Sequence, residues 1–192
     1  MPEVTLFTII AFHKLFNLPQ EQKRMPEQDL QGIIAETLSK IDDNLIANLL
    51  EEAEKSERKR AHYNIHKSFD EPVQKVICAM FPESYVPPHR HINPKKSETF
   101  VSIRGTLYTL LFDNSGNVIK ADTLDGSNKI VTIPEGVWHS TLSFHEPVVS
   151  LEIKAGPYIP PDKEFASFAP DEKSQEAKDY LLSLKVSLWN ST

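Results

Sequence analysis

Three short stretches of the 192-residue chain carry side chains able to grip a metal ion. The first is His89-Arg90-His91, directly after Pro87-Pro88. In extended chain, alternate residues project to the same side, so both imidazoles can converge on one ion while Arg90 turns away. The second is Glu98, which opens the run Glu98-Thr99-Phe100-Val101-Ser102-Ile103-Arg104 before Gly105 and, facing the same interior, adds a carboxylate. The third is Pro134-Glu135-Gly136-Val137-Trp138-His139, where a Pro-x-Gly turn delivers a histidine to the head of a later strand. Taken singly, each is an ordinary surface pattern; together they point to one divalent metal. Imidazole and carboxylate ligands suit Zn, Mn, Fe(II), Ni or Co alike and leave coordination positions free. An open position can hold a hydroxy-carbonyl or vicinal diol and polarise it, the chemistry of isomerisation or epimerisation, while Fe(II) would admit O₂ and make an oxygenase.

Positioning these groups needs short strands, and the chain from Ala61 to about Lys154 supplies them. Runs of β-branched and aromatic residues broken by Pro, Gly, Asn and Asp predict strands near 62–66, 73–81, 97–104, 106–113, 117–124, 129–133, 139–144 and 148–154. That count predicts a mainly β jelly roll. Gly105 and the hairpin Asn114-Ser115-Gly116-Asn117 mark two of its turns. Ahead of the strands, Leu45, Ile46, Leu49, Leu50 and Ala53 recur at helical spacing between Ser39 and Arg60, and Ser39 with Asp42 resembles a capping box. The basic run Arg58-Lys59-Arg60 reads as the solvated end of that helix. After Gly156-Pro157 and Pro160-Pro161, the residues Ala177, Tyr180, Leu181, Leu184 and Leu188 predict a closing amphipathic helix. The chain thus divides into an extension of open status (1–25), a helical segment packed on the barrel (26–60), the barrel (61–160) and a C-terminal helical tail (161–192).

Composition narrows the function. With 21 Lys and Arg against 27 Asp and Glu, the net charge of −6 gives nucleic acid or an anionic membrane no general reason to bind, leaving a small molecule as the expected ligand. The one cysteine, Cys78, rules out an internal disulfide framework and thiolate-rich zinc modules; alternation makes it a small core residue. The apolar stretch Val4 to Leu18 is too short to cross a bilayer and is interrupted by His13 and Lys14. Glu3 before it and Asn17-Leu18-Pro19-Gln20 after it do not suit a secretory signal, so a cytoplasmic protein is expected. Met25 is a second possible start. Leu6, Phe7, Ile9, Ile10 and Phe12 would expose an apolar patch unless covered, which predicts a homodimer.

His89, His91, Glu98 and Gly105 resemble the first cupin motif, and Pro134, Gly136 and His139 the second. The resemblance implies a double-stranded β-helix barrel with three histidines and one glutamate around a divalent metal. Six residues separate His91 from Glu98 where the usual motif has three or four, so Ile92-Asn93-Pro94-Lys95-Lys96-Ser97 must form a longer loop. Arg60, Tyr63-Asn64-Ile65-His66, Pro88-His89-Arg90-His91, Trp138-His139, Glu152-Ile153-Lys154-Ala155-Gly156-Pro157-Tyr158 and Phe168-Ala169-Pro170 are, more narrowly, similar to the WbuC family of cupin-fold metalloproteins. That resemblance spans about residues 40 to 172 and implies a link to surface-polysaccharide biosynthesis without specifying a reaction.

Beside the metal ligands, alternation puts Ser150, Glu152 and Lys154 on one face of their strand. Facing solvent they would be inert; lining the barrel, Glu152 and Lys154 would be a catalytic acid/base pair or a carboxylate clamp. Asn64 and His66 project together from extended chain, and the resemblance places them, with Tyr158, beside the pocket as substrate contacts. His62 and His145 fit no spacing and read as surface residues. The expected function is a metal-dependent isomerase or epimerase of a carbohydrate-derived ligand; the alternatives are a ligand-binding or sensor module without turnover and an Fe(II) oxygenase.

Overall fold

The computed structural model describes residues 40–189. Ten strands follow one another as β1 (Arg60–Asn64), β2 (Val73–Met80), β3 (His89–Arg90), β4 (Glu98–Arg104), β5 (Leu107–Phe112), β6 (Val118–Leu124), β7 (Ile130–Ile133), β8 (Trp138–Leu142), β9 (Val148–Ala155) and β10 (Glu164–Phe165). They form two antiparallel sheets, ordered β1-β2-β9-β4-β7 and β10-β3-β8-β5-β6. Between β2 and β9 the chain crosses repeatedly from one sheet to the other, which winds eight strands into a double-stranded β-helix, a jelly roll. The remaining two, β1 and β10, extend one edge of each sheet.

Helix α1 (Asp43–Lys55) lies against the first sheet: Ile46, Leu49 and Ala53 pack on Ile77, Ala79 and Val149. It is shorter than the 39–60 expected. Asp42 caps it, accepting from Leu45 N at 2.9 Å, whereas Ser39 lies outside the described residues. Helix α2 (Ala177–Trp189) covers the other sheet, with Leu181, Leu184 and Leu188 against Leu110, Phe112 and Trp138. Each of these buried aliphatic side chains contributes about 1.5–3 kcal/mol. With both outer faces covered by helices, the inner faces are left to enclose the barrel interior. Met80, Phe100, Leu107, Leu124, Ile133 and Val148 fill much of it.

Two expectations are corrected. Arg60 is not part of a solvated helix end: it opens β1, is buried, donates to Ser84 Oγ at 3.0 Å and Tyr85 O at 2.9 Å, and pairs with Glu172. An acidic partner more than a hundred positions away draws it inside. The stretch after Pro161 is also not simply a helical tail, because β10 pairs with β3 (Glu164 opposite Arg90, Phe165 opposite His89) before α2 begins. β3 itself is only two residues long, since Pro87, Pro88 and Pro94 supply no ladder donors. Residues 1–39, with the extension and the apolar patch predicted to pair copies, lie outside the described residues.

Gly105 has φ +75, and a Cβ there would meet Pro147 O at 2.5 Å, so only glycine lets the chain turn from β4 into β5 at this point. Cys78 is buried, and burial, reinforced by Glu152, pushes its thiol up to about 12. Alkylation by iodoacetamide at neutral pH is therefore expected to be slow in the native protein and fast in denaturant; mass spectrometry of timed quenches reads both rates.

Candidate metal centre

His89, His91, Glu98 and His139 converge, their candidate ligand atoms all within 4.8 Å of one another and all four side chains buried. The strand pairing explains how. β3 and β8 are neighbours with His89 opposite His139, so two imidazoles stand side by side from one sheet. Glu98 begins β4 in the facing sheet. Arg90, between the histidines, turns away as alternation requires: it pairs with Glu164 at 2.7 Å and lies 4.1 Å over the Trp138 ring.

Each ring is anchored through Nδ1 to a backbone carbonyl, His89 to Pro87 O (2.9 Å), His91 to Asp162 O (2.7 Å) and His139 to Val137 O (2.9 Å). A carbonyl can only accept, so Nδ1 carries the proton and, in a neutral ring, Nε2 is a bare lone pair. His91 Nε2 and His139 Nε2 stand 2.8 and 2.9 Å from the two oxygens of Glu98. His139 Nε2 hydrogen-bonds Glu98 Oε2, whereas buried His91 Nε2 has no hydrogen-bond partner of good geometry. Burial, then Lys163, holds His89 well below the usual histidine range. Burial alone would raise the Glu98 carboxyl, but His139, His91 and Lys163 outweigh it and hold it well below the usual carboxylate range. Three imidazole nitrogens around an ionised carboxylate fit a divalent cation, for which all four side chains would be ligands.

The face carrying Ser150, Glu152 and Lys154 lines the barrel. β9 is central, with Gln74, Val76 and Cys78 of β2 opposite Lys154, Glu152 and Ser150, and Glu98 and Phe100 of β4 opposite Lys154 and Glu152 on the other side. Lys154 Nζ reaches Glu152 Oε1 at 3.0 Å, Asp162 Oδ2 at 3.2 Å and Glu98 Oε1 at 3.4 Å. Burial alone would lower this ammonium; its three carboxylates more than reverse that and raise it. Held against three carboxylates, it is placed to orient Glu98. Asn64, His66 and Tyr158 border one cavity of about 350 Å³ together with Glu152, Lys154 and Lys163. His66 Nδ1 is fixed on the Lys75 backbone, and Phe69 lies between His66 and Tyr158, its ring centroid 5.8 and 5.2 Å from theirs.

Sequence reasoning missed four residues here. Asp162, placed in the expected tail, anchors His91 through its carbonyl, and its Oδ2 lies 3.4 Å from the same Nδ1. Its other oxygen pairs with Lys96 at 2.7 Å, both side chains being 1% exposed. Lys96 comes from the long loop before Glu98, so the extra residues of that loop tie it down. Lys163 Nζ donates to His89 Nε2 at 3.1 Å. His62 is exposed, as expected, yet it borders both this cavity and a second one of about 180 Å³ beside His89 and Glu98. The enclosing walls, followed by Arg60, Arg58, Lys163 and Lys154, push its imidazole down to about 4. The clue for Asp162 and Lys163 was their place just after Pro160-Pro161, where the chain turns back to the barrel.

Residues 41–124 match a protein-family profile described as a domain of unknown function, DUF6016. No characterised protein matches the chain. Among solved structures, the capsular polysaccharide assembling protein CapF from Staphylococcus aureus is 19% identical over 57% of this chain and 32% of its own, with a TM-score of 0.49. Oxalate decarboxylase from Bacillus subtilis is 18% identical over 55% of this chain and 27% of its own, TM-score 0.44. Oxalate oxidase with the substrate analogue glycolate is 16% identical over 65% of both, TM-score 0.46. The chain therefore spans about a third of the length of CapF. Its fold is a jelly roll of the cupin type. That assignment rests on the strand order and on the His, His, Glu, His cluster it assembles, rather than on these distant likenesses. Among the described residues no helix is long and apolar enough to cross a membrane.

Proposed function

We propose that the protein holds one divalent metal ion through His89, His91, Glu98 and His139 and acts there on a small, carbohydrate-derived or carboxylate-bearing ligand. One observation carries this reading: three buried imidazoles, each with Nδ1 tied to the backbone, bring their Nε2 atoms together with the Glu98 carboxylate, two of them within 2.9 Å of its oxygens. When bound, the ion supplies a Lewis acid with positions open to a bidentate oxygen ligand. The chain's own residues do the rest. Glu98 is kept ionised, Lys154 orients it, and Glu152 borders both cavities beside the ion, where it is the group placed to take or return a substrate proton. Asn64, His66 and Tyr158 shape the far wall against the ligand. The similarity to WbuC proteins, across residues 40 to 172, supports a role in surface-polysaccharide biosynthesis, and an isomerase or epimerase is the reaction type the open site and Glu152 suit.

Titration of chelator-treated protein with Mn²⁺, followed by thermal unfolding and elemental analysis, tests the site. At a thousandfold excess over Kd, ligation adds about 4 kcal/mol, an upward Tm shift of roughly 8–16 °C for a chain of this size. An unchanged Tm with no bound metal would sink the reading. Turnover of a panel of nucleotide-linked sugars by the metal-loaded protein distinguishes catalysis from ligand sensing. Pairing into a homodimer through the N-terminal segment belongs to the same proposal; light scattering at micromolar concentration is expected to return twice the chain mass, and removal of residues 1–25 to return the single mass.

A further inference from the structure

The 180 Å³ cavity beside the metal ligands is lined by His89 and Glu98 together with Arg58, Arg60, His62, Glu152 and Lys163. In a chain whose net charge is −6, three of these side chains, Arg58, Arg60 and Lys163, are cations. Arg58 and Arg60 share the single carboxylate of Glu172. Glu152 is already paired with Lys154 at 3.0 Å. Among the described residues no carboxylate ion-pairs with Lys163, which donates to His89 Nε2 at 3.1 Å. That nitrogen would hold the metal, and the ammonium that now bonds it would then lose this acceptor. Lys163 also borders the adjoining 350 Å³ cavity, which places it where a molecule reaching from one to the other must pass.

Resting on the metal-site reading, we infer that the ligand of this site carries an anionic oxyacid group, a carboxylate or a phosphate, which Lys163 binds with Arg58 and His62 while a second oxygen of the same molecule reaches the metal. A neutral sugar or polyol would leave Lys163 desolvated and unpaired; an anion supplies the missing partner. The surplus charge of the two arginines over Glu172 draws the same group inward.

Calorimetric titration of Mn²⁺-loaded protein with lactate, inorganic phosphate and propane-1,2-diol tests this, since the diol matches lactate with the carboxylate replaced by a neutral carbinol. Lactate or phosphate is expected to bind more tightly than the diol. Lys163→Met is expected to weaken the anion about ten- to a hundredfold while leaving diol binding and metal content unchanged, and Lys163→Arg to restore most of the loss. Which of lactate and phosphate shows the larger Lys163 dependence identifies the oxyacid. Equal binding of lactate and diol, or anion binding indifferent to Lys163→Met, would overturn the inference. Elemental analysis keeps the two failures apart: wild-type protein that takes up no Mn²⁺ overturns the metal site, whereas full Mn²⁺ with no anion preference overturns only the role of Lys163.

Discussion

Protein carrying both His89→Ala and His91→Ala is expected to bind Mn²⁺ more than about 100-fold more weakly than wild type and to show no metal-induced rise in Tm. Loss of a mere supporting contact to a ligand costs roughly 10–100-fold, so loss of two ligands must exceed that. One imidazole opens the two-residue strand β3 and the other follows it directly, and their removal leaves Glu98 and His139, too few to hold an ion against water. Comparing the metal-free forms of both proteins separates lost ligation from lost folding, because Pro87 O and Asp162 O also lose their donors, at about 1 kcal/mol each. Isothermal titration returning wild-type affinity would show that the cluster is not the metal centre.

The largest effect on stability is expected from Asp162→Ala, about 3–5 kcal/mol in urea unfolding of metal-free protein. The Lys96 ammonium is enclosed against Asp162 at 2.7 Å, with one further acceptor, Pro157 O, at 2.9 Å. Removing the carboxylate leaves a buried cation uncompensated, which costs far more than the ion pair contributes on balance. Burial alone would raise the Asp162 carboxyl; Lys96 and Lys154 hold it below its usual range, so it is charged in the folded protein. Combining Lys96→Met with Asp162→Ala is expected to recover a good part of the loss, since no orphan cation then remains, and the shortfall from additivity measures their coupling. If Asp162→Ala unfolds with the wild-type midpoint, the pair is not the clamp that anchors the loop before Glu98.

The metal ligands were legible because each sits in a local pattern. Alternation aims His89 and His91 together, the turn residues Gly105 and Gly136 bracket the strands that carry Glu98 and His139, and short strands at regular spacing announce the jelly roll. The two helices were legible from their apolar stripes, though α1 begins at Asp43 because the Asp42 side chain caps it by accepting from Leu45 N. The orientation of Glu152 and Lys154 stood undecided in the sequence, since a period of two defines two faces without saying which is inside. Helix α1, packed on Val149 and the neighbouring strand, decided it by covering the other face.

Residue types and their short-range spacing were thus enough for the barrel, its four convergent ligands and the exclusion of thiolate or disulfide chemistry, because periodicity and turn chemistry act over a few positions. Arg60 on Glu172, Lys96 on Asp162, the Asp162 carbonyl under His91 and Lys163 against His89 became visible only in the fold. Those contacts join positions 66 to 112 apart, and charge pairing at such range depends on where the folded chain brings its far segments, which no local pattern encodes.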